Sequence, residues 1–400
     1  MYREPNEPLM AAHKRQLLVD ALDQLCRELD LTKAQYEAAR ERYRAVGEWL
    51  TGASSPYLQD AMVYPHGSIG AGTAIKPIAS NEFDVDLMCK LPSIGPASSP
   101  QAVKALVGAR LREHGKYDGM LEEKTRCWRI NYANEFHLDI TPSIANPHCD
   151  SGGELVPDKQ LASWKPTNPT GYLRRFESYT ELKPKFYVHD ALLKSARADI
   201  QPLPDQPATK SLLKLVVQVL KRHRDFEHLN PAKRDVAPIS IIITTLAAWS
   251  YADCVRHRTY NNAFDLLVDV IECMPIRIVI EQIEGRVHYL IENETTTGEN
   301  FAEKWNHDLR LAPAFYAWHR NALAAIKTLP DIEGLDRLAK HFSTEFGATP
   351  DQIKRSVAPV AASINAGRST GALFVVPSLG VVSSPAAGGV TVRANTFFGR

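Results

Sequence analysis

HGSIGAGTAIKP, residues 66–77, and EFDVDLM, residues 82–88, decide how this chain is read. Gly67 and Ser68 follow a short apolar segment and open a Gly-rich turn. Such a turn presents backbone N–H groups and a hydroxyl, and glycine lets the backbone approach oxygen atoms closely, which suits a polyphosphate. In EFDVDLM the alternation puts Phe83, Val85 and Leu87 on one face of a strand and Asp84 and Asp86 together on the other. Carboxylates sharing so small a space repel, and a divalent cation that prefers hard oxygen ligands, such as magnesium, relieves the repulsion; taken alone, the segment equally suits a strand whose solvated face is acidic. EFHLDITPSI, residues 135–144, repeats the pattern: Phe136, Leu138 and Ile140 point inward, while His137, Asp139 and Thr141 point the other way. Ala133-Asn134 reads as the turn joining this strand to RCWRINY, so the two should form a hairpin beside the core sheet. Asp139 is then the natural third ligand. Three carboxylates on neighbouring strands can hold two metal ions about 4 Å apart, one lowering the pKa of an attacking hydroxyl and one shielding a departing pyrophosphate.

Periodicity sets the organisation around this segment. Residues about 9 to 30 place Leu18, Leu22, Leu25 and Leu29 on one helical face, and Thr32 with Gln35 forms a capping box that opens a second helix to about Trp49. From Tyr57 to about Pro147 the period changes to two, interrupted by the helical SPQAVKALVGARLREHG, which predicts a mixed α+β core. The stretch from about Ile144 to Gln206 is dense in Pro, Gly and Asp and reads as connection, with one or two helices inside it. After Thr209, a predicted N-cap, helical patterns dominate the C-terminal half.

A Gly-Ser turn, an apolar-Asp-apolar-Asp strand sixteen residues after the serine and a later apolar-Asp strand resemble the nucleotidyltransferase superfamily that contains DNA polymerase β. More narrowly, HGSIGAGTAIKP and EFDVDL, then TNPTGYLRRF at 167–176, VVQVLKRHRD at 216–225, PISIIITTL at 238–246 and the element from Glu299-Asn300-Phe301 to Trp305 resemble the bacterial cGAS/DncV-like nucleotidyltransferases. The likeness spans roughly residues 10 to 345. It implies an α+β fold: a polymerase-β-like nucleotidyltransferase lobe with a mixed sheet and N-terminal helices over 1–205, a helical lobe over 206–366 that completes the nucleotide cleft, and an apolar, weakly charged tail over 367–400. It also implies an enzyme that joins ATP, and other nucleoside triphosphates with it, into an adenine-containing cyclic di- or trinucleotide. That product is an alarm signal in anti-phage (CBASS) operons. Carried over by position, Gly67 and Ser68 hold the triphosphate, Asp84 and Asp86 hold two Mg²⁺ ions, and Asp139 holds the one nearest the attacking hydroxyl. Lys221 matches the family's triphosphate lysine and Ser240 its hydroxyl partner. Lys210, Lys214 and Lys221 share one face of a helix by spacing, which suits phosphate contact and equally a solvated face.

Composition bounds the alternatives. Forty-seven Lys+Arg against forty-six Asp+Glu leave a net charge of +1, so there is no global field to capture nucleic acid, and no stable nucleic-acid partner is expected. That balance disfavours a template-independent RNA 3′-end nucleotidyltransferase, the main rival of the same superfamily. A catalytically inactive nucleotide-binding regulator, the rival of another class, has no need to hold three like charges together. The six cysteines form no CxxC pair and read as small buried thiols. Cys127, His137, His148 and Cys149 match no zinc spacing. Trp305, Tyr316 and Trp318 read as core on a long C-terminal helix rather than a base-stacking platform. The N-terminal residues carry no apolar targeting run, and of the uncharged stretch Ser369 to Val392 half the residues are Gly, Ser, Thr or Pro, so cytoplasmic placement with no membrane contact is expected.

Residues 367–400 carry three arginines and no acid, and their valines and phenylalanines are too apolar for a solvated tail. Such a segment tends to add itself as a strand to an exposed sheet edge. It suits either capture of an operon-encoded, HORMA-like partner or packing on the chain's own helical lobe.

Overall fold

The structure is a computed structural model that describes residues 9–78, 83–133, 135–158, 162–187, 211–369, 374–376, 380–382 and 390–391. Two helices open it, α1 (Leu9–Leu29) and α2 (Lys33–Thr51). The capping box forms as the sequence predicts: Gln35 N–H donates to Thr32 Oγ1 at 3.2 Å and Thr32 N–H to Gln35 Oε1 at 2.9 Å.

A seven-stranded mixed sheet follows, made of β1 (Met62–Pro65), β2 (Phe83–Lys90), β3 (Leu121–Glu123), β4 (Trp128–Tyr132), β5 (Phe136–Ala145), β6 (Glu154–Pro157) and β7 (Trp164–Thr167). The order is β1-β2-β5-β4-β3; only β2 and β5 run parallel, and the far end of β5 pairs with β6, which pairs with β7. Helix α3 (Pro100–Arg112) makes the crossover that the parallel pair requires. It lies close to the sheet because Gly108 carries no side chain: a Cβ there would stand 2.1 Å from the Trp128 ring, whose Nε1 donates to the Lys104 carbonyl at 2.8 Å. Val46 and Leu50 of α2, Val107 and Leu111 of α3, and Val85, Leu87, Leu138 and Ile140 of the sheet share this core.

Beyond the sheet come α4 (Pro169–Thr180), the short strand β8 (Lys185–Phe186), α5 (Leu212–Glu227), α6 (Ser240–His257), β9 (Thr259–Tyr260), α7 (Ala263–Cys273), the hairpin β10 (Val279–Ile283) and β11 (Arg286–Leu290), and α8 (Leu311–Thr328). They form a second core around Val216, Leu220, Leu246, Leu267 and Trp318. Leu18, Leu22, Leu25 and Leu29 belong to it as well, so α1, grouped by position with the sheet lobe, packs into the helical one.

Several expectations change. The stretch read as connection holds β6 and β7, because buried Glu154, Val156 and Pro157 extend the sheet. The helical half contains the β10–β11 hairpin, turned by Glu284 and Gly285, both at positive φ. The N-cap of α5 is Ser211, whose hydroxyl accepts from Lys214 N–H at 3.3 Å; Thr209 and Lys210 lie outside the described residues. Trp305 and Trp318 are core, but Trp305 sits on a 3₁₀ turn ahead of α8. Cys26, Cys89, Cys254 and Cys273 are buried as expected, whereas Cys127 and Cys149 are half-buried. In the tail, the strands Phe374–Val376, Gly380–Val382 and Val390–Thr391 pair with one another and, among the described residues, with no other sheet. No helix among the described residues is long and apolar enough to cross a membrane.

Candidate active site

Strand register builds the site. Asp86 on β2 stands opposite Asp139 on the parallel β5, and Arg129 on the antiparallel β4 stands opposite Asp139 from the other side. Asp86, Asp139 and Arg129 thus form a row across one face of the sheet, with Asp84 two residues back along β2, while the alternating apolar residues face the core. β1 leads straight into a single helical turn, Gly67–Gly70, pinned to β2 where His66 N–H donates to the Asp86 carbonyl at 2.9 Å. Gly67 has φ +61°, and a Cβ there would lie 2.4 Å from Asp86 Oδ2. Only glycine combines that backbone with that approach. The Gly-rich turn is therefore in contact with Asp86.

Their electrostatics follow from burial and crowding. Burial, then the charges of Asp139 and Asp84, push Asp86 from 3.8 up to about 6, against the pull of Arg129 and Lys221. His66 is pushed down to about 4 by burial, so it is neutral at pH 7, and its Nε2 has no hydrogen-bond partner among the described residues. A carboxyl whose pKa is higher folded than unfolded binds more protons in the folded state, so stability falls as pH rises from about 4 to 6. Asp86→Asn is therefore expected to raise the melting temperature of the metal-free protein at pH 8, with the gain shrinking as pH falls through 6. Thermal melts in chelator across that range check this, and a lower melting point for the variant at pH 8 would contradict it. Three oxygen-donor side chains on one face, one of them held protonatable by burial and then by its neighbours, are of the chemical type a hard divalent cation takes.

Sequence reasoning left Lys221 either on a solvated face or at the phosphates. It is 4 % exposed, and its Nζ donates to the Thr73 carbonyl at 2.8 Å, tying α5 to the end of the Gly-rich segment. Burial lowers its pKa to about 8. Lys214 lies over the same loop, close to Gly72, and pairs with Glu177 of α4 at 2.9 Å. Ser240 begins α6 and accepts from Arg224 Nη2 at 3.1 Å. Among the described residues no three His, Cys, Asp or Glu side chains stand together as a ready metal-binding group: neither Cys127, His137, His148 and Cys149 nor, as they are placed here, the three aspartates.

Arg129 escaped the sequence reading, and its place beside Asp139 follows from hairpin register alone. Two elements that carried the resemblance, 167–176 and 299–305, join the end of the sheet to the helices: Thr167 Oγ1 donates to Glu299 Oε1 at 2.8 Å, Asn293 Nδ2 to Glu299 Oε2 at 2.7 Å, and Asn168 Nδ2 to the Thr295 carbonyl at 2.8 Å. Asn300 Oδ1 accepts from Ile291 and Ala302 N–H, both at 2.9 Å. The Glu299-Asn300-Phe301 element is thus a joint that shapes backbone.

Residues 17–179 match the Second Messenger Oligonucleotide or Dinucleotide Synthetase (SMODS) domain, a span that contains the Gly-Ser turn and all three aspartates. Over that span, and in its whole-length likeness to cyclic dinucleotide synthases, the chain resembles the cGAS/DncV-like nucleotidyltransferases. It is a nucleotidyltransferase. This nucleotidyltransferase is 25 % identical over 395 residues to the c-di-GMP synthase of Roseivirga ehrenbergii, covering 98 % of this chain and 100 % of that one. Its fold is that of Bradyrhizobium diazoefficiens CdnG solved with GTP, with a TM-score of 0.62, 19 % identity and coverage of 86 % of this chain and 99 % of CdnG. It is also that of CdnC in the E. coli MS115-1 CdnC:HORMA complex, with a TM-score of 0.58, 14 % identity and coverage of 82 % and 96 %.

Proposed function

We propose that this nucleotidyltransferase binds two Mg²⁺ ions at Asp84, Asp86 and Asp139 and condenses nucleoside triphosphates into a cyclic dinucleotide with release of pyrophosphate. The observation that carries the reading is the pairing of Asp86 with Asp139 on adjacent parallel strands, with the Gly67-Ser68 turn against Asp86. When bound, the metal neutralises the carboxylates and the triphosphate and acidifies the attacking hydroxyl. Gly67 and Ser68 hold the triphosphate with backbone N–H groups and the serine hydroxyl. Lys221 fixes the far end of that segment through Thr73, Lys214 lies over it at Gly72, and Ser240 is held at the start of α6 by Arg224, three residues along α5 from Lys221. Asp139 stands at the side from which the 3′- or 2′-hydroxyl attacks. Guanine is favoured over the adenine that the sequence resemblance implied, because the relatives include a c-di-GMP synthase and a CdnG crystallised with GTP. An anti-phage role and a cytoplasmic location belong to the same reading, as does a HORMA-like partner for residues 367–400, for which CdnC's complex with HORMA is the precedent.

The test is incubation with the four radiolabelled ribonucleotides and Mg²⁺, phosphatase digestion and mass spectrometry of what survives. A phosphatase-resistant ring containing guanosine is expected; extension of added RNA would favour the RNA-tailing reading, and no product the inactive regulator. Lys221→Ala is expected to raise KM for triphosphate several-fold more than it lowers kcat, since an anchor of the phosphate loop acts in ground and transition states alike. It should also lower the melting temperature, because the Thr73 carbonyl loses a charged partner. Unchanged kinetics would remove Lys221 from the site.

A further inference from the structure

Arg129 lies where a divalent cation would have to enter. Its Nε and Nη2 each reach one Asp139 oxygen at 2.7 Å, and Nη2 extends over β5 to Asp84 Oδ1 at 3.2 Å. A two-pronged guanidinium–carboxylate pair is among the strongest ion-pair geometries. The arginine side chain is 22 % exposed and Asp139 16 %, so water screens the pair only in part. The fork takes both Asp139 oxygens, whereas Mg²⁺ needs at least one of them at about 2.1 Å. A cation on the remaining lone pairs of Asp139 would stand within a few ångströms of the guanidinium charge, so guanidinium and metal disfavour one another on this carboxylate. The neighbouring lysines are engaged elsewhere, Lys221 on Thr73 and Lys214 on Glu177.

We propose that Arg129 is the resident counter-ion of the triad: it holds Asp84 and Asp139 in place in the nucleotide-free enzyme and competes with divalent metal for them, so that metal enters with the triphosphate. This rests on the metal-site reading above and adds an order of events to it. A triphosphate arrives with its own cation, and its oxygens offer the released guanidinium another two-pronged partner. Metal alone offers no such replacement. Arg129 acts through the aspartates as a positioning residue.

Mn²⁺ titration followed by electron paramagnetic resonance, on wild type and Arg129→Gln, with and without a non-hydrolysable GTP analogue, tests this. Without nucleotide, Arg129→Gln is expected to bind Mn²⁺ at least about tenfold more tightly, because a charge-assisted competitor is gone. With the analogue the two proteins should converge to within about threefold, the guanidinium having left Asp139 in wild type as well. Equal or weaker nucleotide-free binding by the variant overturns the inference while leaving the metal site standing. Failure of wild type to bind Mn²⁺ even with the analogue overturns the metal-site reading itself. Should the glutamine variant melt early, Arg129→Lys carries the test: it keeps the charge without the fork and is expected to bind at least about threefold more tightly than wild type without nucleotide. No gain in the lysine variant contradicts the proposal.

Discussion

Asp139→Asn is expected to lower turnover at saturating triphosphate by at least about a hundredfold, because the central carboxylate of the row loses the charge that holds the metal nearest the attacking hydroxyl. The amide is the same size as the carboxylate, and Asp139 lies mid-strand in β5 with its backbone paired to both β2 and β4. The fold should therefore survive, as circular dichroism would record. Single-turnover rates with wild type as reference make the measurement, and a rate near wild type would remove Asp139 from the metal site.

Gly67→Ala is the second large effect. At φ +61° an L-residue costs about 1–2 kcal/mol. The new Cβ would also sit 2.4 Å from Asp86 Oδ2, so either the turn or the carboxylate must move. A displacement of that size between groups that meet at the triphosphate is expected to cost roughly a hundredfold in kcat/KM. Gly70→Ala supplies the comparison. Its Cβ would meet the end of the Leu173 side chain at 2.7 Å, and that leucine can rotate away, so a loss several-fold smaller is expected. Equal losses in the two variants would show that the contact between Gly67 and Asp86 is not what the turn provides.

The parts of the site that rest on local period were legible in the sequence. Alternation over Phe83–Leu87 and Phe136–Ile140 fixed which carboxylates share a face, and the β4–β5 hairpin was readable from its short turn. What was not legible depends on pairing between distant strands and on packing. Arg129 has the period of any strand residue, and only the β4–β5 register and the position of β2 beyond it bring its guanidinium to Asp139 and Asp84. Lys221 could not be assigned from helical spacing, because its burial depends on the Gly-rich segment passing over α5. Strands β6 and β7 were hidden by proline: Pro157 and Pro166 lack N–H donors, yet both lie in the outlying pair of the sheet where a missing donor is tolerated. The β10–β11 hairpin was overlooked between strong helical patterns, and its exposed Val279, Ile280 and Val287 give no alternation of burial to read. That α1 packs its leucines into the helical core was not legible either, since sequence order says nothing of which core a terminal helix joins.

The central claim is that Asp84, Asp86 and Asp139 jointly hold metal against a triphosphate cradled by Gly67 and Ser68. Anomalous diffraction from crystals grown with Mn²⁺ and a non-hydrolysable GTP analogue tests it most directly. The account predicts anomalous peaks bridging Asp86 to Asp84 and Asp139, with the triphosphate on the Gly67-Ser68 turn. Metal bound away from these three side chains, or a triphosphate seated elsewhere in the chain, would contradict it.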